Sequence, residues 1–202
     1  IARRTAATLT ASAEEKLILD GSTTVGPIAK AIAELYMRQN PGVSITVSES
    51  GSGNGAKALL NGTCDIACLS RDLKASERGA MKEKGINPAE HVVAYDAIPV
   101  IVHPANRVSQ LTIGLLRDIY TGKISNWKEV GGADRRIVVI SRDSNSGTFA
   151  TFQELVLGKE AKITPAAEYT GSNGAVRQRV QKTQGAIGYV GLGFLDDTVK
   201  AL

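Results

Sequence analysis

The sequence predicts an α/β protein with parallel sheets and helices packed on their faces. Short apolar strand patterns alternate along the chain with amphipathic helix patterns, which is the order typical of β-α-β units. Polar, glycine-rich segments follow three of the predicted strands and precede helices. The chain has 202 residues, of which 43% are hydrophobic, so one large unit or two small ones can each bury an ordinary core.

The first half of the chain contains three strand–helix units. Pro27 stands where the first residue of a helix is expected, and the turn at residues 40–42 ends that helix. Apolar and polar residues alternate at 43–48, which indicates a half-buried strand. The predicted elements are strands at 17–19, 43–48 and 66–69, a helix from residue 27 with an apolar stripe of Ile28, Ile32, Leu35 and Tyr36, and helices at 56–60 and 76–84.

The second half opens with the longest β-rich run of the chain, residues 92–103. Its length predicts a strand that crosses between two lobes. The elements predicted after it are helices at 112–120, 148–157 and 173–181 and strands at 137–140 and 186–190.

The three polar segments, residues 22–24, 50–55 and 142–148, form strand-to-helix corners. Ligands of open α/β sheets bind outside the carboxyl ends of the strands. Free N–H groups at helix starts, close-approaching glycine backbone and short hydroxyls together suit a tetrahedral anion. Arg142 would add a planar guanidinium. Serine and threonine at such places are most often only helix caps, but three similar corners favour a binding site.

Composition limits the other functions. The net charge of +4 suits an anionic ligand but is too small to indicate nucleic acid. No run approaches the roughly 18 apolar residues of a membrane span. Residues 1–16 are expected to be a flexible N-terminus, with Ala11-Ser12-Ala13 resembling an export cleavage pattern as the alternative. Cys64 and Cys68 are expected to be buried free thiols, because a strand separates residues four apart too widely for a disulfide.

No catalytic or metal-binding pattern stands out in the sequence. Residues 51–57 resemble a phosphate-binding P-loop, but Ala56 occupies a required glycine position and Ala58 follows the lysine. His91 and His103 lie far apart and have no acidic or cysteine partner pattern. We therefore expect no enzyme activity, no cofactor and no metal, although a spatial Ser–His–Asp set is not visible in sequence.

Six segments of the chain form a recognisable set: GSTTV at 21–25, SGSGNG at 50–55, DIACLSR at 65–71, YTGKISNWKEV at 120–130, SRDSNSGT at 141–148 and GAIGYVG at 185–191. With these segments the chain resembles the periplasmic phosphate-binding proteins of ABC transporters, in the shorter form of that family. The resemblance runs from about Leu17 to the end of the chain.

The resemblance implies a fold similar to the type II periplasmic-binding-protein fold, with two α/β lobes joined by a two-strand hinge. Lobe one would contain residues 17–96 and 190–202, and lobe two residues 97–189. The hinge would lie near 95–100 and 189–192. The family continues past the equivalent of Leu202, so the first lobe is expected to lack its C-terminal elements.

The resemblance also implies a set of ligand contacts. Thr24 would offer a hydroxyl, Val25 a backbone N–H and Arg142 its guanidinium. Some family members carry Asp at the position of Arg71, and Arg only donates hydrogen bonds. Arg71 is expected to contact the anion, with an ion pair as the alternative, and Asp96 or Asp143 could accept the phosphate hydrogen. The expected ligand-binding residues are Thr23, Thr24, Val25, Ser52, Ser70, Arg71, Arg142, Ser146, Gly147 and Thr148.

The function implied by the resemblance is capture of inorganic phosphate between the lobes and its delivery to the permease subunits of an ABC transporter. The location would be periplasmic or at the cell surface. The alternatives are a receptor for another tetrahedral oxyanion such as sulfate, a phosphotransferase or phosphatase, and a sensor or adhesive module without a transport role.

Overall fold

The computed structural model describes residues 15–158 and 160–202. Most of the N-terminus predicted to be flexible, residues 1–14, lies outside the described residues. Glu15 and Lys16 correct that prediction, because they already belong to the first strand.

The first sheet has three parallel strands, as the alternating pattern predicts. They are β1 (Glu15–Gly21), β2 (Val43–Ser48) and β3 (Ile66–Cys68), in the order β2-β1-β3. Three helices connect and follow them: α1 (Gly26–Gln39), α2 (Ser52–Leu60) and α3 (Ala75–Glu83). We call this sheet and its three helices the first lobe. Its strands all end at one edge, where the polar corners begin.

Helix α1 packs differently from the prediction. Its buried residues are the small ones, Gly26, Ala29 and Ala33. The predicted apolar stripe faces outward instead, and Ile32 and Leu35 are each 54% exposed. Small side chains let the helix lie close to the sheet, so periodicity finds the helix correctly but not the side that packs against β2.

The second sheet is mixed, with the order β6-β5-β7-β4-β8. Strand β5 runs parallel to β6 and β7, whereas β4 runs antiparallel to β7 and β8. Its strands are β4 (Val100–Val102), β5 (Val138–Arg142), β6 (Glu168–Thr170), β7 (Ala186–Tyr189) and β8 (Lys200–Ala201). Its helices are α4 (Ile113–Thr121), α5 (Gly147–Phe152), which continues as a π-helix (Gln153–Leu157), and α6 (Asn173–Gln181), with 3-10 turns at Trp127–Val130 and Leu192–Phe194. We call this sheet and its helices the second lobe.

Two predictions about the lobe boundary need correction. Residues 92–99 form no strand, and Val92, Val93 and Tyr95 are 66%, 58% and 96% exposed. The C-terminal residues were assigned to the first lobe, but β8 pairs with β4 in the second sheet. Residues 92–99 have a β-rich sequence but no neighbouring strand among the described residues to pair with, so they form no strand. The free edge of β4 pairs with the last residues of the chain, which places β8 in the second sheet.

Two chain segments run side by side between the lobes. The N–H of Val190 donates to the carbonyl of Pro99 at 3.2 Å, and the N–H of Leu192 donates to the carbonyl of Ala97 at 3.0 Å. These segments coincide with the two positions predicted for the hinge, and we keep their hinge function as a proposal.

Apolar side chains fill both faces of the second sheet. One cluster contains Trp127, Tyr120, Phe152 and Tyr189, and the other contains Ile101, Ile140 and Val176. The rings of Phe152 and Tyr189 stack with centroids 4.0 Å apart and planes 5° apart. This packing fixes the end of β5, which carries Arg142, because Tyr189 on β7 contacts that end directly.

Candidate functional site

The three predicted corners converge between the lobes. Thr24 Oγ1, which follows β1, lies 3.0 Å from Thr148 Oγ1 at the start of α5. The N–H of Gly53, at the start of α2, donates to the carbonyl of Asn145 at 2.8 Å. The N–H of Gly51 donates to the carbonyl of Gly21 at 2.7 Å. The carboxyl ends of strands from both sheets therefore face one common region, as expected for α/β binding sites.

Buried hydroxyl groups line this region. The predicted site residues Thr23, Ser52, Ser146 and Thr148 are each at most 3% exposed. Ser52 Oγ lies 3.3 Å from Ser70 Oγ and accepts a hydrogen bond from the Ser70 N–H at 3.1 Å. A hydroxyl both donates and accepts, so this set can turn its hydrogens toward an anion.

Helices α5 and α1 both begin at this region, and their first backbone N–H groups differ in whether they already have an acceptor. Ser146 caps α5, because its Oγ accepts from the Phe149 N–H at 3.1 Å, so the capping alternative holds for this residue. Gly147 and Thr148 stand in the first turn of α5, where N–H groups have no acceptor within the helix. Val25 is the N-cap of α1, and its N–H donates to Ser22 Oγ at 3.3 Å.

Arg142 lies at the end of β5 and is 1% exposed. Two carbonyls hold its guanidinium: Nε donates to Thr170 at 3.3 Å and Nη2 to Gly171 at 3.0 Å. Its Nη1 is buried and has no hydrogen-bond partner among the described residues. A buried charged donor without a partner is costly, so Nη1 is the group of this region most in need of a hydrogen-bond acceptor.

The second sheet holds the backbone of Arg142 in place. The Arg142 N–H donates to the Tyr189 hydroxyl at 3.2 Å, and that hydroxyl lies 2.9 Å from Ser141 Oγ. Burial raises the pKa of Tyr189 to about 12, against the lowering effect of these hydrogen bonds, so the hydroxyl keeps its hydrogen at neutral pH. Burial also lowers the pKa of Arg142, with Asp143 opposing, but a guanidinium remains charged in proteins.

Arg71 forms an ion pair, which was the alternative to anion contact. Its Nη1 and Nη2 bind the two carboxylate oxygens of Glu77 at 2.8 and 2.7 Å, and Nη1 also donates to the Asp72 carbonyl at 2.7 Å. The Arg71 side chain is 9% exposed and that of Glu77 is 20% exposed. Because both terminal nitrogens of Arg71 are bound to Glu77, Arg142 is the better candidate for binding the anion.

We expect Glu77→Gln to lower the free energy of unfolding by about 1–2 kcal/mol at neutral pH, because it weakens a charge-assisted bidentate pair. Burial raises the Glu77 pKa, but hydrogen bonds from Arg71 and from the Lys74 N–H outweigh it, so the pKa is lowered. A lowered folded-state pKa stabilises the protein above the usual glutamate range, and this stabilisation is lost as the pH falls through the folded pKa. Thermal melts of both proteins across pH should therefore converge in acid.

The control for this prediction is Glu90→Gln. Glu90 pairs with Arg78 at 3.2 Å, but its side chain is 60% exposed, so the expected change is about 0.5 kcal/mol or less. A loss for Glu77→Gln that is no greater than the loss for Glu90→Gln would contradict the structural importance of the Arg71 pair.

Asn173 is the residue whose contacts the sequence did not reveal. It opens α6, is fully buried, and its Nδ2 donates to Thr23 Oγ1 at 3.0 Å and to Thr24 Oγ1 at 2.9 Å. In the sequence, Ser172-Asn173-Gly174 opens a predicted helix and could line the cleft, but helix capping is sufficient to explain these residues. Asn173 follows β6 and so stands at a further strand-to-helix corner, but β6 has only three residues and was not predicted, so this corner had no signal in the sequence.

Within 15–158 and 160–202, no group of three or more His, Cys, Asp or Glu residues could hold a metal ion. In the same part of the chain, no helix combines the length and apolar character that a membrane crossing requires.

The two sheets and the converging corners define a bilobal α/β domain with a candidate site between its lobes. A family model described as a PBP superfamily domain matches residues 6–201. This match covers nearly the whole chain and agrees with the two-sheet architecture.

Individual relatives indicate which family of the PBP superfamily the chain resembles. The chain is 36% identical to the phosphate-binding protein PstS of Borreliella burgdorferi, over 92% of this chain and 67% of that protein. It is 37% identical to PstS of Bacillus subtilis, over 95% of this chain and 64% of that protein. A solved putative phosphate ABC transporter substrate-binding protein from Clostridium perfringens, with bound phosphate, is 41% identical with a TM-score of 0.86, over 93% of this chain and 75% of that one.

The chain therefore belongs to the PBP superfamily and, within it, to the family of PstS phosphate-binding proteins. This family is one of substrate-binding proteins. The chain spans 64% of the length of the Bacillus subtilis relative and 67% of the Borreliella burgdorferi one.

Proposed function

We propose that this chain captures inorganic phosphate between its two lobes. The observation that carries the proposal is the Arg142 guanidinium, whose Nη1 is buried and has no hydrogen-bond partner among the described residues. The phosphate bound in the Clostridium perfringens structure, which shares the fold and 41% of the sequence, supports phosphate as the ligand.

The chemistry of the site suits a small tetrahedral oxyanion. Hydroxyls and backbone N–H groups are neutral donors that can surround all sides of such an ion, and one guanidinium supplies charge and direction. Closed lobes exclude water, and hydrogen bonds to the anion are stronger in that environment. The proposed contacts are Thr23, Thr24, Ser52, Ser70, Arg142, Ser146, Gly147 and Thr148. Val25 is not among them, because its N–H already donates to Ser22 Oγ.

Selection of phosphate over sulfate needs an acceptor for the phosphate hydrogen. Arg71 cannot accept, and its guanidinium is engaged by Glu77. Asp96 is exposed and its Oδ1 accepts from the Leu192 N–H at 3.0 Å. The hydroxyls of Ser52 and Ser70 can accept as well as donate, so we propose them as the acceptors. Because a hydroxyl is a neutral acceptor, we expect modest selectivity.

The biological role that follows is that of an extracytoplasmic receptor without catalytic activity. Hinge closure along residues 95–100 and 189–192 would form the bound state, and a membrane permease of the ABC type would receive the phosphate. The names of the relatives support the transport role, and the permease contact is inferred from them.

Isothermal titration calorimetry with phosphate and with sulfate tests the proposal. We expect phosphate to bind and sulfate to bind about 10-fold more weakly, which is the value of one neutral hydrogen bond. Tighter binding of sulfate would make the chain a receptor for that oxyanion instead. Absence of binding for both anions would refute the proposed function.

A further inference from the structure

Asn173 connects both lobes and the segment between them. Its amide group contacts Thr23 and Thr24 of the first lobe, while it starts α6 in the second lobe. Its Oδ1 also accepts from the N–H of Gly191 at 3.2 Å, next to the proposed hinge. We propose that Asn173 is a positioning residue that forces the hydroxyls of Thr23 and Thr24 to donate their hydrogens toward the anion. This inference rests on the proposed function.

The orientation of the Asn173 amide is fixed by its neighbours. A backbone N–H can only donate, so the atom that faces the N–H of Gly191 must be the carbonyl oxygen of the side chain. The opposite orientation would place two donors against each other at 3.2 Å. The NH₂ group must therefore face the threonines, and its two hydrogens match the two hydroxyl oxygens at 3.0 and 2.9 Å.

This orientation determines what the hydroxyls can do. Each threonine oxygen accepts one hydrogen from Asn173, so its own hydrogen is directed elsewhere. The Thr24 oxygen lies 3.0 Å from Thr148 Oγ1, on the other side of the region between the lobes. A hydroxyl that accepts from Asn173 keeps its single hydrogen free to donate to a ligand, and donors are what an oxyanion requires. The amide thus acts on the ligand through the threonines.

Helix capping does not account for these contacts. Ser172 caps α6, because its Oγ accepts from the N–H of Ala175 at 3.1 Å. The hydrogen bonds of the Asn173 side chain go instead to Thr23 and Thr24 of the other lobe and to the N–H of Gly191, so its polar atoms are satisfied although it is fully buried.

The substitution Asn173→Asp tests this proposal, because it keeps the shape and replaces the donor NH₂ by an acceptor. The oxygen facing Gly191 stays, but the threonine hydroxyls must then donate to the carboxylate. We expect phosphate affinity measured by calorimetry to fall about 10- to 100-fold. The control Asn54→Asp adds the same charge two residues after Ser52, where Asn54 binds the Ser50 carbonyl, and should cost less than about 5-fold.

A double-mutant cycle with Thr24→Val distinguishes two effects of Asn173→Asp: reorientation of the Thr24 hydroxyl hydrogen, and repulsion between the new carboxylate and phosphate. If Asn173 acts through the threonine hydroxyl, Asn173→Asp should cost less in the Thr24→Val background than in the wild type. Repulsion between the new carboxylate and phosphate would act equally in both backgrounds. Strictly additive losses, or equal losses for Asn173→Asp and Asn54→Asp, would overturn the proposal.

The two hypotheses fail in different ways. If the wild-type protein does not bind phosphate, the proposed function is refuted and the inference with it. If the wild type binds phosphate and Asn173→Asp binds it equally well, only the role of Asn173 is refuted. Melting temperatures without phosphate show whether each variant is folded, so that loss of structure is not counted as loss of binding.

Discussion

Replacing Arg142 by alanine is expected to weaken phosphate binding by about 100- to 1000-fold. The Nη1 group is the buried charged donor that has no partner within the described residues, and hydrogen bonds to charged groups contribute about 1.5–3 kcal/mol each. Calorimetry measures the loss directly. The melting temperature without phosphate shows whether the variant is folded, because alanine also removes the contacts to the Thr170 and Gly171 carbonyls.

The control for Arg142→Ala is Arg135→Ala. Arg135 is an exposed arginine of the second lobe, so this change removes the same formal charge without touching the site. We expect phosphate affinity to change less than about 3-fold, since solvent and salt screen exposed charges. An Arg142→Ala protein that still shifts its melting temperature with phosphate as the wild type does would refute the proposed anion site.

Gly147→Ala should also weaken phosphate binding strongly, by about 10- to 100-fold. A Cβ atom at Gly147 would collide with the hydroxyl oxygens of Ser52 and Ser70 in the other lobe. Ser52 is fully buried and has no room to retreat, so the methyl group should hold the lobes apart. Small-angle X-ray scattering at saturating phosphate should then give a larger radius of gyration than the wild type gives.

The stability of the Gly147→Ala protein should hold or fall slightly. Separation of the lobes breaks interlobe hydrogen bonds such as the one from the Gly53 N–H to the Asn145 carbonyl, so the melting temperature without phosphate should not rise. Gly79→Ala is the matched control, because it lies within α3 and an added Cβ there meets nothing within 4 Å. If Gly147→Ala binds phosphate as well as Gly79→Ala does, the close approach of the lobes at this point is not needed for binding.

Local patterns were sufficient to predict most elements of the fold. Helix α6 has the bounds that its pattern predicted, and the alternation at Val43–Ser48 gave β2 correctly. Residues 92–99 and β8 were misassigned because a strand needs a partner, and pairing between distant segments has no local signal. Strand β6, only three residues long, was not predicted, because so short a run has no measurable period.

Residues of the candidate site could be predicted from the sequence where an anion-binding side chain stands at a strand-to-helix corner. Arg142 and Thr148 stand at a strand-to-helix corner, and the fold brings such corners together. The pairing of Arg71 with Glu77 was open in the sequence, since both an anion and a carboxylate attract a guanidinium. The contacts of Asn173 span about 150 residues of chain, and only the folded arrangement of both lobes shows them.

The bond between the Gly53 N–H and the Asn145 carbonyl joins the lobes through main-chain atoms alone. A Cβ at Gly51 would stand 3.2 Å from that carbonyl oxygen, and one at Gly53 would stand 3.3 Å from the Cα of Asn145. The lobes approach each other this closely partly because Gly51 and Gly53 have no Cβ atom. This contact does not involve polar side chains. Substitution of Asn145 should therefore keep the hydrogen bond between the main chains as long as Gly51 and Gly53 are unchanged.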